Sequence, residues 1–235
     1  MTKLTLILLP GMDGTGDLFE PLIKALNDAF NIQVVQYPTD DSLGYEGLEL
    51  EVLKMLPINK PFIILGESFS GPIAISIAAS EPDGLLGVVL CSTFVRNPRP
   101  AFSPLRSLTG VIPVKLAPAA LMSYLLLGSY STAELRSSIV TALSKVSTAS
   151  LRARLNAVLE ADVSAKLKRV KIPLLYLLAT QDRVVPRSAL AEITRILPAV
   201  QIASIHAPHF LLQVAPKAAA NAINAFTREL QNKTN

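Results

Sequence analysis

The chain has 235 residues, half of them hydrophobic and 17% charged, with a formal net charge of +4; this excludes a disordered chain and suits one large-cored domain, or a core with a modest insertion. One cysteine, Cys91, excludes a disulfide scaffold and a multi-cysteine metal site, and two histidines, His206 and His209, leave no material for a His-rich zinc centre. Residues 1–95 hold 4 Lys/Arg against 12 Asp/Glu, residues 96–170 hold 11 against 3, and residues 171–235 hold 7 against 3.

The basic middle third reads either as a solvated surface or as a face for an acidic partner. Nucleic acid is not expected, because the basic residues are dispersed with few aromatics between them to stack on bases. The apolar run Leu4–Leu9 is too short for a signal peptide, and no apolar stretch reaches the ~20 residues that span a bilayer, so a cytoplasmic chain without a membrane span is expected.

In chain order, apolar runs at Leu4–Leu9, Ile32–Tyr37, Phe62–Leu65, Val88–Cys91, Leu174–Leu178 and Gln201–Ile205 read as strands. Between them, Phe19/Leu22/Ile23/Leu26, Leu48/Val52/Met55/Leu56 and Leu190/Ile193/Leu197 keep helical spacing, and Ile223, Phe226 and Leu230 mark a last helix. Strands that are apolar almost throughout imply a mostly parallel, doubly wound α/β sheet covered on both faces. One interval breaks the alternation. From about Arg96 to Val170 a proline-rich start (Pro98, Pro100, Pro104) precedes helix-like stretches, Ala119–Leu127 and Leu151/Leu155/Val158/Leu159 being the clearest. It is expected to be a helical insertion over the carboxyl edge of the sheet, giving a core of residues 1–97 and 163–235 and a cap of residues 98–162.

The chemistry centres on Gly66-Glu67-Ser68-Phe69-Ser70-Gly71, which joins a buried strand to an apolar helix. That context places Ser68 on a sharp turn with its Oγ above the sheet, and small neighbours let the turn pack closely; Ser70 stands where a second glycine is usual. A serine nucleophile needs a base, and the base needs an acid, in the chain order Ser, Asp or Glu, His. Asp182 follows the fifth run and His209 the sixth, so both converge with Ser68 on one sheet edge. Asp162, in the insertion, is the alternative acid. His206, directly against its strand, is the alternative base and otherwise reads as a structural residue bonded to a backbone carbonyl. Oxyanion donors are expected from the backbone N–H of Phe69 and, in the glycine-rich loop Leu9-Pro10-Gly11-Met12-Asp13-Gly14-Thr15-Gly16, that of Met12. The same loop lacks G-x-G-x-x-G and Gly-Lys-Ser/Thr, which argues against a nucleotide site.

Taken together, these motifs resemble those of the α/β-hydrolase superfamily over nearly the whole chain, with Asp182-x-x-Val-Pro and His209-Phe-x-x-Gln-x-x-Pro216 as further matches. The resemblance implies Ser68 as nucleophile, Asp182 as acid, His209 as base and a helical cap. The chain departs from the pattern at Pro10, where many members have His, and at Ser70. Its first strand resembles the third strand of the family, so the two early edge strands are not expected. The expected activity is cleavage of a small-molecule carboxylic ester or thioester through an acyl-serine, with no cofactor and no metal. Apolar cap residues Leu121, Met122, Tyr124, Leu125, Leu126 and Leu127 favour an acyl chain. Acyl transfer to an alcohol by the same triad, and a non-catalytic ligand-binding protein on this fold, are the alternatives. Arg152 and Arg154 are expected to point outward from the cap, where an acidic acyl carrier protein could dock.

Overall fold

The computed structural model describes residues 3–101 and 119–234. Its strands are β1 (Thr5–Leu9), β2 (Asn31–Val34), β3 (Phe62–Glu67), β4 (Leu85–Cys91), β5 (Leu174–Ala179) and β6 (Gln201–Ile205). They pair in the order β2-β1-β3-β4-β5-β6, and every pair is parallel. The chain runs outward from β1 to β2 and then returns to the other side of β1, so the order reverses there. Open sheets of this kind bind ligands in the crevice beyond the carboxyl ends of the strands at such a reversal.

Side chains alternate across the pleat into two layers. Leu6, Leu8, Ile63, Leu65, Val89 and Leu177 pack against residues of α1 (Glu20–Leu26), α9 (Leu211–Val214) and α10 (Pro216–Thr234). Ile7, Leu9, Phe62, Ile64, Leu90 and Tyr176 pack against α2 (Tyr45–Leu53), α3 (Gly71–Ala79) and α8 (Arg187–Ile196). The stripe read from sequence on the last helix is fully enclosed: Ile223, Phe226 and Leu230 are all buried, each side chain contributing roughly 1.5–3 kcal/mol of transfer free energy. Two apolar positions behave otherwise. Met55 lies beyond the end of α2 and is 40% exposed, and Ile202 is 47% exposed. The latter follows from topology, since β6 is an edge strand with alternating burial, covered less completely than β3 or β4.

Between β4 and β5 the described residues form α4 (Ala119–Leu126), α5 (Ala133–Ser144) and α6 (Thr148–Glu160), followed by α7 (Ser164–Leu167). Pro104 and Leu116, part of the expected insertion, lie outside the described residues. The chain leaves and re-enters the sheet side by side: Asn97 N–H donates to Ala161 O, Val163 N–H donates to Val95 O, and Arg96 and Asp162 form an antiparallel bridge. Thr132 and Ser147 cap α5 and α6 by accepting from Leu135 and Ser150 N–H.

The insertion is bonded to loops at the carboxyl ends of the strands. Ser150 Oγ donates to Thr39 O and Asp41 O after β2, Arg183 after β5 donates to Tyr124 O, and Phe210 N–H after β6 donates to Leu126 O. Helix α4 is less enclosed than its apolar sequence suggests, with Leu121 and Tyr124 49% and 57% exposed while the following Leu127 is buried. On α6 the inner face runs through Ser150, Leu151, Arg154 and Ala157. Arg154 is therefore turned inward, against the expectation that its guanidinium points to solvent.

Candidate active site

At the end of β3 the backbone turns abruptly. Ser68 has a φ of 48°, a left-handed conformation that a serine adopts only when its surroundings impose it, and Ser68–Ser70 form one tight 3-10 turn before α3 begins. Packing does the imposing. A Cβ at Gly66 would lie 2.7 Å from Ser70 O, and one at Gly71 would lie 2.0 Å from Thr93 Oγ1. The latter hydroxyl donates to Ser68 O, which fixes the carbonyl side of the turn from the segment just after β4. Gly71 is thus the second position where any side chain would collide, one residue later than the usual spacing.

Ser70 does more than fit. Its buried hydroxyl donates to Pro10 O and lies 2.6 Å from Tyr37 Oη. A carbonyl can only accept, so the Ser70 proton goes to Pro10 and Tyr37 donates to Ser70. Burial pushes the Tyr37 pKa well above its ordinary value, which keeps that donor protonated. Ser70 therefore ties the elbow to the loop after β1 at Pro10, the position where the superfamily pattern commonly has His.

Ser68 Oγ lies 2.8 Å from His209 Nε2, and His209 Nδ1 lies 2.8 Å from Asp182 Oδ2. The His209 and Asp182 side chains are 4% and 6% exposed. The remaining carboxylate oxygen, Asp182 Oδ1, accepts the N–H groups of Val184 and Val185 at 2.8 and 2.9 Å. With the carboxylate accepting from Nδ1–H, Nε2 carries the lone pair that faces the serine hydroxyl. The alternatives sit elsewhere. Asp162 accepts from Ser164 and pairs with Arg96, bonds that hold its pKa below the ordinary carboxylate value. His206 is exposed and meets the side chains of Thr180 and Gln181, not a backbone carbonyl as expected.

Phe69 is the second residue of the 3-10 turn, where an N–H has no partner within the turn. Met12 lies inside a turn closed by Gly14 N–H donating to Gly11 O at 3.0 Å. Two features of this region escaped sequence reading. Glu67 is buried behind the elbow, its Oε1 accepting from Gln213, and burial raises its pKa to about 7. Arg154 reaches the Met12 loop from α6. The only sequence signal for the latter was its place on the Ser150/Leu151/Ala157 face, masked by the rival stripe of Leu155 and Leu159. Among the described residues no cluster of His, Cys, Asp or Glu could hold a metal ion, and no helix is long and apolar enough to cross a membrane.

A protein-family model described as serine aminopeptidase, S33, matches residues 50–211, a stretch that contains Ser68, Asp182 and His209. The chain belongs to this family of α/β-hydrolases. Solved structures agree on the fold: a hydrolase from Oleispira antarctica (16% identity, 99% of this chain and 92% of that one, TM-score 0.84), and a thermophilic esterase from Thermogutta terrifontis (21%, 97% and 91%, 0.78). A lipase-esterase related protein from Clostridium acetobutylicum matches as well (17%, 96% and 95%, 0.79). A curated relative, the chloroplastic phytyl ester synthase 1 of Arabidopsis thaliana, is 34% identical over an aligned stretch of 118 residues that covers 48% of this chain and 17% of that protein. The chain thus spans about a sixth of the length of this relative.

Proposed function

We propose that this family member cleaves a small-molecule carboxylic ester or thioester with an apolar acyl group, through an acyl-enzyme on Ser68. The observation that carries this reading is the unbroken chain Ser68 Oγ, His209 Nε2, His209 Nδ1, Asp182 Oδ2, with both links 2.8 Å long. Ser68 Oγ attacks the acyl carbonyl as His209 Nε2 takes its proton. Asp182 stabilises the resulting imidazolium, and the Phe69 and Met12 N–H groups receive the oxyanion. Collapse expels the alcohol or thiol, which takes the proton back from His209. Water, deprotonated by the same imidazole, then releases the acid.

Residues 98–162 serve as the cap of this site, over a core of 1–97 and 163–235. The apolar, half-open α4 is bonded to Phe210, next to His209, which favours an acyl chain beside the serine. The likeness to a phytyl ester synthase supports a second reading, in which an alcohol replaces water as acyl acceptor. Burial of Arg154 takes one of the two guanidinium groups away from any face for an acidic carrier, so the substrate proposed is a small molecule.

The test is a panel of p-nitrophenyl and thioester substrates of increasing acyl length, with and without a long-chain alcohol. Acid release that is faster for apolar acyl groups supports hydrolysis, and ester formation that suppresses acid release supports transfer. No turnover of any substrate by the folded protein contradicts both readings.

A further inference from the structure

Arg154 is a fully enclosed guanidinium, 1% exposed, on the inner face of α6. Such a group is costly to bury unless acceptors meet its N–H groups; both terminal nitrogens find them, while Nε is buried without a hydrogen-bond partner. Here the acceptors are backbone carbonyls of two separate loops: Nη1 donates to Met12 O at 2.9 Å and Asp13 O at 2.8 Å, and Nη2 donates to Pro38 O at 2.9 Å. The cation also lies 5.7 Å from the centre of the Tyr37 ring. The loop is moulded to it, since a Cβ on Gly14, which has a φ of +70°, would lie 2.5 Å from Nη1. The helix itself is seated one turn earlier, where Ser150 Oγ donates to Thr39 O and Asp41 O.

We infer that Arg154 is a positioning residue that holds the oxyanion loop in its working conformation from the cap; this rests on the acyl-enzyme reading above. The Met12 N–H shares its plane with Gly11 C=O, which the turn bond from Gly14 fixes. The next two planes carry Met12 C=O and Asp13 C=O, and both are fixed by one guanidinium nitrogen. Three consecutive planes are thereby set, and the first aims the Met12 N–H. Without the guanidinium the last two can rotate, and the turn that aims the donor loosens with them. Because the anchor belongs to the cap and not to the sheet, seating of α6 and competence of the oxyanion hole are coupled.

The test compares Arg154→Lys with the wild-type protein in three measurements: kinetics on a small ester, binding of a trifluoromethyl ketone that needs the oxyanion hole, and amide hydrogen exchange across residues 11–16. A lysine keeps the charge but cannot span two loops. The expected result is a loss of kcat of about 10²-fold with little change in KM, a comparable loss of ketone affinity, and faster exchange in the loop. In Arg154→Ala, millimolar guanidinium should restore part of the turnover. If the lysine variant does not fold, Ser150→Ala, which loosens the seating of α6 one turn earlier without touching the loop, should give a milder form of the same kinetic pattern. Wild-type-like exchange and ketone affinity in a folded Arg154→Lys overturn the inference. Absence of ester turnover and ketone binding by the wild-type protein overturns the acyl-enzyme reading, and exchange across residues 11–16 still decides whether Arg154 orders the loop.

Discussion

Asp182 divides its two carboxylate oxygens between His209 Nδ1, at 2.8 Å, and the backbone N–H groups of Val184 and Val185. The division makes Asp182→Asn a sharp test. Two backbone donors hold the amide oxygen at the Oδ1 position, so the NH2 faces His209 Nδ1. The ring then presents its lone pair at Nδ1 and its proton at Nε2, the wrong tautomer to accept from Ser68. We predict a loss of kcat on the order of 10⁴-fold with the fold retained. Asp162→Asn, which alters a carboxylate bonded to Ser164 and Arg96, should leave kcat nearly unchanged. Steady-state kinetics with thermal melts on both variants check this.

Ser70→Ala should be felt in stability as well as in turnover. It leaves Pro10 O and Tyr37 Oη buried without their shared partner, at a cost of about 1–3 kcal/mol. It also releases the elbow from the loop after β1. Urea denaturation is the measurement, and a midpoint equal to that of the wild-type protein would show that the Ser70 bridge contributes nothing.

Glu67 gives the fold a pH dependence of opposite sign to that of a salt-bridged carboxylate. Burial raises its folded pKa from 4.5 to about 7, so between these values the folded state binds the proton that the unfolded chain releases. The contribution of this group is therefore fully present below about pH 4.5 and falls as pH rises toward 7, by roughly 3 kcal/mol. In Glu67→Gln the amide can still accept from Gln213 and does not ionise, so this slope should vanish. Denaturation midpoints at several pH values for the two proteins should diverge as pH rises. Parallel curves would contradict the assignment.

The architecture was legible in the sequence because β1, β3, β4 and β5 are central strands whose apolar runs carry their own signal, and Ile223, Phe226 and Leu230 repeat at helical spacing. The candidates Ser68 and Asp182 stand out because each follows such a strand, whereas His209 follows the edge strand β6 and stands out as one of only two histidines. Arg154 does not. An arginine between Leu151 and Leu155 reads as the polar face of a helix, and the carbonyls that meet it belong to loops far away in sequence. Ser70 was legible as a small residue, but its bond to Pro10 connects positions 60 residues apart. The exposure of α4 depends on what lies over it, which periodicity does not encode.

If Ser68 is a nucleophile activated by His209, a mechanism-based covalent label will find it. The folded wild-type protein is treated with a fluorophosphonate and the adduct is located by peptide mass mapping. One phosphonyl group is expected on Ser68, none on Ser68→Ala, and labelling should slow by orders of magnitude in His209→Ala. Ester turnover that persists in Ser68→Ala, or an adduct that forms on another residue with Ser68 unmodified, would contradict it.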